Sequence, residues 1–94
     1  MVRSKTWLKA VASLPCQLCG LEGMTQAAHA NWSVYGKGMG MKAHDCFTAA
    51  LCQDCHHQID QGSVLSKAER MVLWEDAFRR TLVALCESGK VKAK

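Results

Sequence analysis

The chain has 94 residues, of which 49% are hydrophobic and 21% charged, with a net charge of +4 and six cysteines. That length allows one domain spanning residues 1–94 and no separate binding module, and so small a core calls for a staple beyond apolar burial. No stretch is long enough to span a membrane and nothing at the N-terminus reads as a secretory signal. Both point to a reducing, cytoplasmic setting, where paired cysteines bind metal more often than they form disulfides.

Ser4 is placed to cap a helix over residues 4–14, in which Trp7, Leu8, Val11 and Leu14 form one apolar stripe before Pro15 ends it. Cys16-Gln17-Leu18-Cys19-Gly20 then reads as a knuckle, a tight turn relieved at Gly20. Residues 25–35 mix small, β-branched and aromatic side chains and predict an extended segment or hairpin arm carrying His29. Gly36, Gly38 and Gly40 predict a mobile loop. Residues 45–51 make a short apolar run into Cys52, and residues 53–61 fit a brief helix ended by Gly62. Ser66 followed by Glu69 is a capping box. It opens the longest helix, over residues 66–88, with Met71, Trp74, Phe78, Leu82 and Leu85 on one face and Gly89 at its end. Residues 90–94 form a basic tail, and no internal repeat or low-complexity segment is present.

Charge is unevenly spread. Residues 1–15 carry Arg3, Lys5 and Lys9 with no acid, and residues 66–94 carry seven bases against four acids. The middle sets Lys37 and Lys42 against Glu22, Asp45, Asp54 and Asp60. A carboxylate-containing metal site flanked by phosphate-attracting surfaces would have this distribution. For charge alone, solvated helix faces are the simpler account.

The two C-x-x-C pairs, Cys16/Cys19 and Cys52/Cys55, are the strongest signal. A two-residue spacer aims both thiolates of a pair at one centre, and four thiolates complete a tetrahedral shell for a structural zinc ion. A thioredoxin-like redox motif would need a βαβ setting, which is absent. Cys86 reads as a small core residue of the last helix, and Cys46 has no clear role.

His56 follows Cys55 directly, and Asp60 lies one helical turn beyond. On a helix they share a face and can hold one divalent cation with positions left open for a phosphate oxygen. His29 can come alongside as a third group, whereas His57 is out of phase and expected at the surface or as a hydrogen-bond donor behind a ligand. Each residue alone would be ordinary, but their position just after a C-x-x-C pair is less easily dismissed.

Together, Cys16-Gln17-Leu18-Cys19, Ala28-His29-Ala30 and the run from Cys52 through Cys55-His56-His57 to Asp60 resemble the HNH, or ββα-metal, nuclease superfamily. Lys42-Ala43-His44-Asp45 before Leu51-Cys52 is similar to small phage and prophage nucleases and to the phage recombination-enhancement nuclease group. The resemblance covers residues 16–61 and leaves the flanking helices unexplained. It implies an α+β fold, a small zinc-stabilised ββα-metal core flanked by N- and C-terminal helices. It also implies DNA endonuclease activity in a bacterial host cell, and contacts made mainly to phosphates predict little sequence specificity. By the same resemblance His29 is the general base and Asp45 orients it. His56 and Asp60 hold the catalytic ion, Mg2+ or another divalent cation, beside the structural Zn2+. Ala28 stands where many members have a further ligand, so His29 is base or ligand, and His44 is a candidate substitute.

DNA is then the expected partner, with a recombination protein as a further candidate. Lys37 and Lys42 in the glycine loop, Arg70, Arg79 and Arg80, and the basic termini are the candidate phosphate contacts. Trp32 and Tyr35 are candidates for stacking on bases, although core packing is the simpler fate of Trp32. Two competing readings are a zinc-stabilised DNA-binding module without catalysis and an interaction domain that dimerises through Met71, Trp74 and Phe78.

Overall fold

The computed structural model describes residues 2–38 and 40–89. Its elements run α1 (Lys5–Ala12), β1 (Thr25–His29), a 3-10 turn (Ser33–Tyr35), β2 (Thr48–Cys52), α2 (Gln53–Asp60) and α3 (Lys67–Glu87). Among the described residues this is a small α+β arrangement of three helices around one two-stranded sheet. The expected basic tail at 90–94 lies outside the described residues. No helix among the described residues is long and apolar enough to cross a membrane.

Ser4 caps α1 as its sequence suggests, its hydroxyl accepting from the Trp7 amide at 3.2 Å. Val11 and Leu14 from the apolar stripe are buried with Ala50 and Leu85, while Trp7 packs alongside half-buried. The expected hairpin arm is only partly strand: β1 stops at His29, and the chain then turns through Ser33–Tyr35. Antiparallel pairing sets Ala27 opposite Ala50, Ala28 opposite Ala49 and His29 opposite Thr48. Alanine is a weak strand former, so this ribbon relies on what covers it. Every residue of β2 is buried, and α1 and α3 both pack on that strand. The backbone of Ala50 is also capped: its amide donates to Thr81 Oγ1 at 2.9 Å, and its carbonyl accepts from the Gln17 amide at 2.9 Å.

Trp74 anchors the main core. It is 1% exposed and packs with Ala28, Ala49, Leu51, Ile59 and Ala77, and its indole N–H donates to the Ala28 carbonyl at 3.1 Å. Truncating such a side chain to Ala typically costs about 3–5 kcal/mol. Phe78 stacks on Trp74 with ring centroids 5.1 Å apart, and Trp32 and Tyr35 tilt against it at 5.7 and 5.1 Å. Tyr35 is further tied by its hydroxyl to Glu75. Both aromatic rings suggested as base-stacking groups are therefore packed on the core.

The capping box at the start of α3 is complete, with Glu69 N–H donating to Ser66 Oγ at 3.1 Å and Ser66 N–H to Glu69 Oε1 at 2.8 Å. The buried stripe of α3 runs Trp74, Ala77, Thr81, Leu85, with Met71, Phe78 and Leu82 on its flanks. Cys86, expected in the core, is exposed, because it sits one residue (about 100° of helical turn) beyond Leu85. At the other end of the connection, Gly62 is required by close approach. A Cβ there would lie 2.5 Å from the Gln58 carbonyl oxygen, so the chain can leave α2 sharply only with glycine.

Candidate metal centre and histidine cleft

The sulfurs of Cys16, Cys19, Cys52 and Cys55 all lie within 4.8 Å of one another. The first two come from the turn after α1, which is tied to β2 through the Gln17 amide; Cys52 ends β2 and Cys55 lies in the first turn of α2. Cys19 Sγ and Cys52 Sγ are 3.6 Å apart. A tetrahedral zinc with Zn–S bonds near 2.3 Å has an edge of about 3.8 Å, so the cluster matches a four-thiolate zinc site in donor type, number and spacing.

Cys16 and Cys55 are shifted in opposite directions, as expected for acids crowded on one spot. Burial would raise Cys16, but amide N–H groups of Cys19, Cys52 and Leu18 outweigh it and bring the thiol down to about 6. Cys55 is pushed well above the ordinary thiol range by burial and by the neighbouring sulfurs. A bound dication removes this competition by taking all four as thiolates. The donor set therefore fits a metal ion such as zinc, in a closed shell with no open position for a substrate.

A different assembly forms where β1 ends. His29 Nε2 lies 2.8 Å from Asp45 Oδ1, with the histidine side chain 20% exposed and the aspartate side chain 6% exposed. Asp45 is held from two further directions: Arg3 Nη1 donates to Oδ1 at 3.0 Å and the Ser4 amide to Oδ2 at 2.7 Å. Burial opposes ionisation of this carboxyl, yet the hydrogen bonds from His29, the Ser4 amide and Arg3 outweigh it and hold its pKa at about 2. Arg3 also donates to the carbonyls of Ala43 and Lys42 at 2.6 and 2.9 Å. The N-terminal strap and the loop before β2 thus meet around one ionised, buried carboxylate.

On α2, His56 Nε2 lies 2.9 Å from Asp60 Oδ2, and its Nδ1 is 2.9 Å from Gln26 Oε1 on β1. The hydrogen bond to Asp60 raises the His56 pKa above its ordinary value, against a smaller opposing effect of burial. His29, His56 and Asp60 all line one cleft of about 480 Å³, together with Asn31, Lys37 and Lys42. So the histidine of β1 and the histidine–carboxylate pair of α2 face a common space. His56 and Asp60, expected from sequence to share one face of a helix, are brought side chain to side chain on α2, with His29 alongside in the cleft.

Other expected residues are placed as follows. Arg79 and Arg80 are exposed on α3 and do not line this cleft; Arg80 pairs with Asp76 at 2.9 Å and donates to the Gln17 carbonyl at 3.1 Å. Arg70 donates to the Ile59 and Asp60 carbonyls at 3.5 and 3.3 Å, capping the end of α2. His44 is built into the loop: its Nδ1 accepts from the Val2 amide at 3.0 Å and its ring meets Phe47 edge-on. Gly36, at φ 90°, admits that ring, since a Cβ would come within 2.5 Å of His44 Cδ2. His57 is exposed, as its helical phase implied.

Arg3 is the site residue that sequence reasoning overlooked. Its contact with Asp45 spans 42 positions, and its only sequence signal was membership of an acid-free basic segment.

Among known proteins, the family model described as "Protein of unknown function (DUF968)" matches residues 1–82, and the chain belongs to that family. No curated protein and no solved structure matches it.

Proposed function

We propose that the chain is a divalent-metal-dependent DNA endonuclease of the HNH type, of phage or prophage origin, cutting phosphodiester bonds with little sequence preference. One observation carries the reading: a histidine backed by a buried carboxylate shares a cleft with a histidine–carboxylate pair and two lysines. An antiparallel strand pair leading directly into the helix that bears the pair supports the ββα-metal comparison.

With Nε2–H of His29 donating to Asp45, Nδ1 keeps a lone pair for a water molecule. Taking its proton makes an imidazolium next to an ionised carboxylate, which stabilises it. Arg3 and the Ser4 amide keep that carboxylate ionised and fixed. His56 Nε2 and Asp60 Oδ2 are 2.9 Å apart, about the edge of an octahedron with bonds of 2.0–2.1 Å, so they suit Mg2+ completed by water and phosphate oxygens. When bound, the ion supplies polarisation of the phosphate and stabilisation of the leaving oxygen. Lys37 and Lys42 hold flanking phosphates, which fixes position without reading sequence. Zinc at the four cysteines serves only to fix the start of α2 and thereby aim His56 and Asp60.

A DNA-binding module without catalysis is the second reading. It is favoured by the Gln26–His56–Asp60 chain, which also serves as a latch between β1 and α2. Nicking of supercoiled plasmid with and without Mg2+ or Mn2+ separates the two. The nuclease predicts metal-dependent nicking that falls about 10²–10⁴-fold in His29→Ala, as for loss of a general base. DNA binding without nicking by either protein would leave the module.

A further inference from the structure

The cleft does not end at His29. The same histidine also lines a second depression of about 440 Å³, walled by the first turn of α1 and the loop before β2. His29 and Lys42 line both spaces, so the two adjoin across the histidine. Charge in the second space is easily assigned. Its one acid, Asp45, is already matched by Arg3, His29 and the Ser4 amide. Lys5 and Lys42 have no ion-pair partner among the described residues. What remains in the second space is a pair of uncompensated ammonium groups, those of Lys5 and Lys42, in a depression that His29 also lines.

We infer that a DNA strand runs from the first cleft across His29 into the second, where Lys5 and Lys42 hold the phosphate next to the one attacked. This rests on the DNA reading of the cleft and deepens it, because it draws α1 into the substrate path and excludes the Arg79–Arg80 face of α3 from it. A linear polyanion is the ligand class that fits two adjoining basic depressions with a base candidate at their junction. A small anion would need only one. The path also gives a reason for the strap to be pinned so firmly: the bonds from Arg3 that secure Asp45 also place the first turn of α1 beside the substrate.

The test is fluorescence anisotropy of a labelled short DNA duplex titrated at several salt concentrations, with the zinc-loaded protein and no added Mg2+ or Mn2+ so that nothing is cut. Lys5→Ala should weaken binding and reduce the slope of log K against log salt by about 1, the release expected for one phosphate contact. Lys5→Glu should weaken it further. Glutamate in the first turn suits the helix dipole, and α1 has no acid there, so an unchanged melting curve identifies the loss as one of binding. Arg79→Ala should keep the wild-type slope and affinity.

Equal binding by Lys5→Ala and wild type at every salt concentration, with Lys42→Ala impaired, overturns the path while leaving the DNA reading in place. A wild-type chain with no affinity for the duplex overturns both. Lys5-dependent binding in a chain that never nicks plasmid sustains the path and removes only the nuclease.

Discussion

The two ends of the stretch from Cys52 to Asp60 do opposite things. At one end, four sulfurs crowd within 4.8 Å and close a shell that has no open position. At the other, one turn of helix presents an imidazole and a carboxylate to open space, and the group that faces them belongs to another strand. Soft donors in a full shell make a fixed point, whereas mixed nitrogen and oxygen donors in an incomplete shell make a site where chemistry can occur. Cys55 and His56 are adjacent in sequence, so the stable region aims the open one directly. On the proposed function, rigidity and reactivity are divided here between neighbouring residues rather than between domains.

Removing the metal centre should have the largest effect. Structural zinc in small domains contributes about 10–16 kcal/mol, as much as or more than a typical domain's whole stability. Chelation, or Cys55→Ser, should therefore abolish cooperative thermal unfolding followed by circular dichroism, and the histidine cleft should be lost with it. An unchanged melt after complete chelation would break the dependence of one region on the other.

Breaking the open region alone should be milder. Arg3→Ala removes a charge-assisted hydrogen bond worth about 1.5–3 kcal/mol, so on the proposed mechanism nicking should slow on the order of tenfold or more. The loss should fall more on kcat than on KM, Arg3→Lys should recover part of it, and bound zinc should stay at the wild-type level. Zinc lost together with activity would mean that the two regions are not separable.

The smallest effect is on acid stability. Asp45 has its pKa lowered from 3.8 to about 2 in the folded chain, so its contribution is complete above about pH 4 and disappears as pH falls through about 2. Urea melts of wild type and Asp45→Asn should differ by a constant amount at neutral pH and converge across that window. Curves that stay parallel down to pH 2 would show that the carboxylate's partners do not stabilise its charge.

What could be read from sequence was whatever is encoded over a few residues. The C-x-x-C spacing, the Ser66–Glu69 box and the one-turn separation of His56 and Asp60 are local, and the structure assembles each of them. The strands were harder to see. Ala27, Ala28, Ala49 and Ala50 carry no alternation of polar and apolar side chains, since both faces of the ribbon are covered, and only the apolar run toward Cys52 hinted at β2. The link between Arg3 and Asp45 was invisible for another reason: the two residues meet only once the whole fold has formed. Cys86 was misplaced by a single helical step, and Tyr35 by assigning to a ligand the aromatic face that Trp74 and Phe47 occupy.

The alanine pairs of the ribbon carry one more consequence. A sheet whose central side chains are single methyl groups is thin, and helices on its two sides can settle close to its backbone. Genetic tolerance in such a molecule is inverted relative to most small proteins. A bulky residue at its margin, such as Val64 at 85% exposure, is free to drift, while the least replaceable letters are among the smallest. Ala28, Ala49 and Ala50 are fully buried, and any added carbon there would push a helix outward and move the histidines with it.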